Sequence, residues 1–192
     1  EGNYRRNIKK GMKQGVKVSI NEKEAIDDFY SIMDDIYENT KMLRRNKAYF
    51  VKLWELLGSI DKAFVIKAVK DDRLLGSYLV VSDNKGSYEL YGGVNKQGRE
   101  MEAGYVLKWE AINHAKLLGS SYYDHWGVAP IDIDGYDKKD ELYRISLFKK
   151  GFGGKDVVFP YPRVLVCNER KYDLFKNLSK INKLSVRLRK LF

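Results

Sequence analysis

Residues 63–92 read Ala63-Phe64-Val65-Ile66-Lys67-Ala68-Val69, then Leu74-Leu75-Gly76-Ser77-Tyr78-Leu79-Val80-Val81-Ser82, then Ser87-Tyr88-Glu89-Leu90-Tyr91-Gly92. Asp71-Asp72-Arg73 and Asp83-Asn84-Lys85-Gly86 separate the three runs. Both interruptions have hairpin chemistry, so this stretch predicts three antiparallel strands. Downstream, Gly104–Leu118 is a long helix closed by Gly119 and apolar around much of its circumference, which suits a helix packed on a sheet. Upstream, Val16–Ile20 alternates as a short strand. Asn21 with Glu24 is a capping-box-like start for a helix to about Thr40, and a second helix covers about Lys47–Leu57. Before them, residues 4–14 form an amphipathic helix: Arg5, Arg6, Lys9, Lys10 and Lys13 fill one arc and Tyr4, Ile8 and Met12 the other. Gly11 weakens that helix. After the long helix come a strand at Tyr122–Trp126, a polar loop through Asp137 and a helix at about Lys139–Lys150. Strands near Val157–Phe159 and Arg163–Cys167 follow, then terminal helices from Asn168.

The 192 residues, 44% hydrophobic, suffice for one sizeable core, so the expectation is a single domain over residues 1–192. No window is apolar enough to span a membrane. The chain opens on Glu-Gly-Asn and enters its basic helix at once, so a segment of a longer protein is expected. The one cysteine, Cys167, has no partner for an internal disulfide, suits a reducing cytosol, and reads as part of a buried strand. The net charge of +10 is concentrated. Residues 5–17 carry Arg5, Arg6, Lys9, Lys10, Lys13 and Lys17, and residues 176–192 carry Lys176, Lys180, Lys183, Arg187, Arg189 and Lys190, with no acid in either run. Such ends attract polyanions: nucleic acid, nucleotide phosphates or anionic lipid.

The order of elements is that of the GNAT acyltransferase fold, an α/β (α+β) arrangement with a mixed, mostly antiparallel, splayed sheet flanked by helices. Several motifs also resemble the Fem family (FemA/FemB/FemX), which adds amino acids to the peptidoglycan stem peptide. Arg5-Arg6-Asn7-Ile8-Lys9-Lys10 through Gly15-Val16 is similar to the family's basic helix leading to a Gly-Val strand. Leu90-Tyr91-Gly92-Gly93 resembles its strand ending in Tyr-Gly, and Leu107-Lys108-Trp109-Glu110-Ala111-Ile112 its L-x-W-E-A-I helix. Tyr123-Asp124-His125-Trp126-Gly127 resembles Y-D-F-W-G, with His125 where Phe is commoner. Leu147-Phe148-Lys149-Lys150-Gly151-Phe152-Gly153-Gly154 resembles F-K-x-G-F-G-G. The likeness is to the second of the family's two GNAT-like domains, so a first such domain is an expected partner.

The resemblance implies transfer of an amino acid from aminoacyl-tRNA, with no further cofactor, to the stem-peptide amine of a lipid-linked or UDP-linked muropeptide. A cytoplasmic location follows, with peripheral contact at the inner face of the membrane. An aminoacyl ester is already activated, so the enzyme has to position partners and stabilise an oxyanion. Carried onto this chain, Lys149 is the electrophilic group, facing the oxyanion or the donor's terminal nucleotide. Asp124, on the strand before Trp126-Gly127, is the best-placed carboxylate for orienting an incoming ammonium or sharing its proton. Phe148, Trp126, Lys150 and Tyr91 become substrate-binding residues. Arg5 and Arg6 become ligands for the acceptor diphosphate, where the guanidinium fork suits paired oxygens.

The residues by themselves leave simpler roles open. Lys149 and Lys150 sit as cations at a helix C-terminus, beside glycines that either cap the helix or let a backbone approach a ligand. Asp124 is equally a turn acceptor, Tyr91 a strand aromatic, and Arg5 and Arg6 a solvated helix face. Glu110 and His114 form an i,i+4 pair of structural type. His114 and His125 lack metal-ligand spacing, so no metal is expected. Two other functions compete. A CoA-dependent N-acyltransferase would need an R/Q-x-x-G-x-G/A pyrophosphate loop before the long helix. Val94-Asn95-Lys96-Gln97-Gly98-Arg99-Glu100-Met101-Glu102-Ala103-Gly104 lacks it and carries two acids. A non-catalytic RNA- or membrane-binding module would use the basic ends, with Leu184, Leu188 and Leu191 against Lys183, Arg187 and Lys190 on anionic lipid.

Overall fold

Alternating and apolar runs in the middle of the chain build a sheet that divides two cores. The structure, a computed structural model, describes residues 2–21, 25–40, 44–160 and 163–188. The chain groups into two compact units, residues 1–155 and 156–192. In chain order the first contains α1 (Gly2–Lys13), β1 (Lys17–Ile20), α2 (Ala25–Asn39), α3 (Lys47–Gly58), β2 (Ala63–Lys70), β3 (Arg73–Ser82) and β4 (Gly86–Val94). It continues through α4 (Lys96–Glu100), α5 (Ala103–Leu117), β5 (Tyr122–Asp124), β6 (Ile131–Asp132), β7 (Gly135–Tyr136) and α6 (Tyr143–Lys150).

The main sheet has five strands in the order β1-β2-β3-β4-β5. All neighbours are antiparallel except β4 and β5, which run parallel. Lys70 pairs with Arg73 across Asp71 and Asp72, whose φ values of 46° and 60° are those of a tight hairpin turn. Asp83 Oδ1 accepts the Lys85 and Gly86 amides at 2.7 and 2.8 Å and so closes the next hairpin.

Two departures from regularity shape the sheet. Leu79 pairs with Tyr91 but Val80 pairs with Glu89, so Leu90 is an extra residue in β4. Without the bulge Glu89 and Tyr91 would share a face. With it, Tyr91 packs among α2 and α3, while Glu89 meets Lys108 of α5 on the other side. The second departure is that β4–β5 pairing ends at Tyr88↔Asp124 while β4 continues to Val94, so the two strands part there.

On one face, Phe64, Ile66, Ala68, Leu75, Tyr78 and Val80 bury against Val106, Leu107, Ala111 and Ala115 of α5. On the other, Val65 and Leu79 bury against Phe29, Met33 and Tyr37 of α2 and Phe50 of α3. The basic helix α1 crosses α5 at Gly11, where a Cβ would lie 2.6 Å from Val106 Cγ2 and 3.2 Å from the carbonyl oxygens of Met101 and Glu102. Gly11→Ala therefore sets a gain in helix propensity of about 1 kcal/mol against an overpacking cost of about 1–3 kcal/mol. Val106 is β-branched and the other neighbours are backbone, so nothing at the crossing gives way cheaply. Net destabilisation is expected, read as a lowered thermal midpoint.

Several local expectations change. Asn21, read as the start of the next helix, has a φ of 53°, and its Oδ1 accepts the Val65 amide at 2.9 Å, which ties the end of β1 to β2. Glu24 of the proposed capping box lies outside the described residues. The strand expected over Tyr122–Trp126 stops at Asp124, and the helix expected from Lys139 begins at Tyr143, where Asp140 Oδ1 accepts the Leu142 amide at 2.8 Å. The β6–β7 hairpin lies within the expected polar loop.

In the second unit the strands expected near Val157–Phe159 and Arg163–Cys167 do not form among the described residues. Those apolar runs have strand composition, but among the described residues of this unit they pair with no other strand. Cys167, read as part of a buried strand, is exposed there. One helix follows, α7 (Glu169–Leu188); Arg189, Lys190 and Leu191 lie outside the described residues. Among the described residues no helix is long and apolar enough to cross a membrane.

Candidate active site

The site begins with a charge inside α5. Lys108 stands on the buried stripe of that helix and is 1% exposed. Its ammonium is 2.5 and 2.6 Å from the two carboxylate oxygens of Glu89, and Tyr123 of β5 donates to the same carboxylate at 2.8 Å. The Tyr78 ring lies 4.8 Å from Lys108 Nζ and the Phe148 ring 5.9 Å. Burial lowers the Lys108 pKa, and Glu89 opposes that shift by contact and by charge. Three elements, β4, α5 and β5, thus meet on one buried ion pair.

Over this pair lies the end of α6. Ser146 fixes the helix by donating to Leu142 O and accepting the Ala129 amide, both at 2.8 Å. Lys149, three residues on, donates to the Gly127 carbonyl at 2.6 Å. Desolvation first and the charge of Lys108 second bring Lys149 down to about 8, with Glu89 and Asp124 acting in the opposite sense. Asp124 Oδ1 accepts the Trp126 amide at 2.7 Å, which turns the chain out of β5. Trp126 has a φ of 67° and an exposed side chain.

His125 sits between these groups. Its ring is 5.3 Å from Tyr123 and 6.0 Å from Phe152, and its buried Nδ1 has no hydrogen-bond partner among the described residues. Burial, then Lys108 and Lys149, lower its pKa to about 3. A neutral imidazole of such weak basicity does not take a proton from an ammonium group.

An aromatic wall of Tyr4, Tyr105, Phe148 and Phe152 encloses α6, with ring centroids 5.0 to 6.3 Å apart. Gly151 permits it: a Cβ there would lie 1.9 Å from the Tyr4 ring. Tyr4 also donates to Leu147 O at 3.2 Å, so the start of the basic helix is tied to the end of α6.

Of the residues singled out in the sequence, Asp124 acts on Lys149 through its charge, and Phe148 lies near Lys108, which also acts on Lys149. Trp126 and Lys150 lie at the same segment ends with exposed side chains. Arg5 and Arg6 are exposed on α1, next in sequence to Tyr4, and line a surface depression with Lys9, Lys10 and Lys13. Tyr91 does not join Lys149. It stands on the opposite face, 5.0 Å from the Phe50 ring and hydroxyl to hydroxyl with Tyr49 at 3.3 Å. His114, read as half of a structural pair with Glu110, packs its ring 4.6 Å from Phe64. Among the described residues no group of three or more His, Cys, Asp or Glu stands together as for a metal.

The sequence reading passed over Lys108, Glu89 and Tyr123. One signal was available: Lys108 shares the inward stripe of α5 with Gly104, Ala111 and Ala115, and a cation there requires a buried partner. Nothing local pointed to Glu89, because the bulge that turns it inward depends on pairing with β3.

The segment before α5 is also informative. Asn95 caps α4 by accepting the Gly98 amide at 2.8 Å, and a Cβ on Gly98 would lie 2.3 Å from Leu75 O. Glu102, with φ 57°, precedes α5 and forms an ion pair with Lys10 of α1 at 2.7 Å. The first turn of α5 thus faces a carboxylate and a crossing helix.

Comparison with known proteins agrees with this architecture. The structure resembles that of FemX at 17% identity and a TM-score of 0.71, over 80% of this chain and 54% of FemX, so the chain spans about half the length of that protein. It also resembles an aminoglycoside acetyltransferase, meta-AAC0020, from an uncultured soil metagenomic sample, at 11% identity and a TM-score of 0.55, over 80% of this chain and 98% of that one. A ribosomal-protein-alanine N-acetyltransferase from Brucella melitensis biovar Abortus 2308 follows at 12% identity and a TM-score of 0.53, over 79% of this chain and 99% of that one. No curated protein matches by sequence. Residues 2–131 match the family described as acetyltransferase (GNAT) domain. The mixed sheet that parts between β4 and β5, the helix α5 laid on it and that match together make this chain a member of the GNAT acyltransferase family.

Proposed function

We propose that this GNAT domain transfers an amino acid from aminoacyl-tRNA to the stem-peptide amine of a peptidoglycan precursor, either lipid-linked or UDP-linked. The observation that carries the reading is the place of Lys149, a largely buried cation held by the Gly127 carbonyl beside the point where β5 leaves β4. The similarity to FemX and the family-like motifs at residues 5–16, 90–93, 107–112, 123–127 and 147–154 support it.

In the reaction the acceptor nitrogen attacks the ester carbonyl carbon and a C–N bond forms. The carbonyl electrons move onto oxygen, and the carbon–oxygen bond to the ribose then breaks. The proton lost by nitrogen ends on the ribose hydroxyl. Lys149 has two N–H groups beyond the one given to Gly127, and these suit the developing oxyanion. Asp124 acts by its charge to favour the Lys149 ammonium; in this reading it also orients the acceptor ammonium and takes from it the proton that frees the attacking amine. The cations of α1 suit acceptor phosphates, beside the aromatic wall that Tyr4 joins.

The family description favours a second reading, acetyl transfer from CoA. Against it stands the Glu102 carboxylate ahead of α5, where pyrophosphate would have to lie. The test is to supply the protein with charged tRNA and a muropeptide in one assay, and acetyl-CoA with an amine in another. Formation of the aminoacyl-muropeptide is expected. Acetyl transfer alone would establish the second reading and remove the first.

A further inference from the structure

The second unit presents an unusual surface. Leu174, Phe175 and Leu178 of α7 are 60%, 66% and 51% exposed. Val157, Val158, Phe159, Val164 and Leu165 before it are also exposed, Leu165 by 89%. Scattered surface leucines need no explanation, but a run of this kind within one short unit marks an interaction surface.

At 100° per residue Leu174, Phe175 and Leu178 fall in a sector of about 100°, and positions 181, 184 and 188, occupied by Ile181, Leu184 and Leu188, widen it to about 180°. Lys176, Lys180, Lys183 and Arg187 take positions within a sector of about 60° on the other side, with Glu169 among them and Asp173 beside them, while Arg170 and Lys171 of the first turn fall within the apolar arc. Of the eight charged residues between 169 and 188, six are basic. A coiled-coil seam is a narrow stripe, so pairing with a second copy would leave much of so wide an arc wet, and would leave the exposed valines and Phe159 uncovered. RNA phosphates would satisfy the cations but give the aliphatic leucines nothing to rest on. A bilayer interface with anionic head groups suits both: apolar chains sink below the head groups and cations lie among them.

We propose that α7, with the apolar stretch that precedes it, is a peripheral membrane-binding surface that lies in the plane of an anionic bilayer. This does not depend on the catalytic reading. It is tested with the 192-residue chain by co-sedimentation with vesicles of phosphatidylcholine mixed with phosphatidylglycerol, against phosphatidylcholine alone. Sedimentation with the mixed vesicles only is expected. Leu174→Glu/Phe175→Glu/Leu178→Glu should weaken it by about tenfold or more, because the acids lose the apolar contact and repel the lipid. Glutamate is a good helix former and these positions are exposed, so helical content by circular dichroism should hold. Lys171→Gln/Lys176→Gln should weaken binding less, and added salt should weaken the unsubstituted chain in part. Equal sedimentation with both vesicle types would overturn the proposal. So would unchanged binding of the triple variant, which would mean simple polyanion attraction. A concentration-dependent dimer in sedimentation velocity that the triple variant abolishes would assign the surface to a second copy instead.

Discussion

Lys149→Met is expected to lower aminoacyl transfer by about 100-fold or more, the scale of losing a donor to a developing oxyanion. The unfolding midpoint should not fall in step, because methionine fills much of the same volume and burial disfavours this ammonium. The pH dependence separates a charged role from a merely spatial one. Lys149 titrates at about 8 in the folded chain, against about 10.4 for an unperturbed lysine. Between those values the unfolded state holds more protons, so stability from this group rises as pH climbs through that window. An oxyanion-stabilising ammonium shows the reverse trend in rate, and kcat/KM should fall above about pH 8. Burial sets this value first; charges from three other elements then act on it, Lys108 of α5 lowering it and Glu89 of β4 and Asp124 at the end of β5 raising it. Lys149→Arg should push the alkaline fall to higher pH, since arginine stays charged. Should Lys149→Met transfer at the unsubstituted rate, Lys149 has no part in the chemistry.

The largest stability effect is expected at the buried ion pair. Lys108→Met leaves the Glu89 carboxylate in the core with Tyr123 as its remaining donor, so a loss of about 3–5 kcal/mol is expected in urea unfolding. Glu89→Gln leaves the Lys108 ammonium facing a neutral amide and should cost less, because the amide oxygen still accepts. The double variant Lys108→Met/Glu89→Gln should recover much of the Lys108→Met loss, since no unpaired charge remains. A double variant no more stable than Lys108→Met would show that packing of the lysine stem, rather than the ion pair, is what matters here. The cycle also reads coupling to the site: transfer should change through the altered field at Lys149, apart from any change in stability.

Much of the fold is visible in single residues. Asp71-Asp72 and Asp83–Gly86 specify hairpins through turn chemistry that acts over a few residues. The strands they join alternate in a way that needs a sheet, and the stripe of α5 needs one to lie on. The residues that crowd the end of α6 were also legible, because Phe148, Lys149 and Gly151 lie within four positions of each other. Where a reading depended on a distant neighbour it failed. Val157–Phe159 and Arg163–Cys167 have strand composition, yet a strand is completed only by another strand. Tyr91 and Lys149 were both read as residues of the site and stand on opposite faces, separated by a single extra residue in β4.

Local sequence therefore determined which segments curl, extend and turn, and in what order, since propensity, capping and periodicity act over a few residues. The tertiary structure alone decided which side chains face one another. It turned Glu89 inward to Lys108, set that pair behind Lys149, and left Tyr91 with the other core. The physical reason is that a sheet has two faces, and the register that assigns each side chain to one of them is fixed by the partner strand.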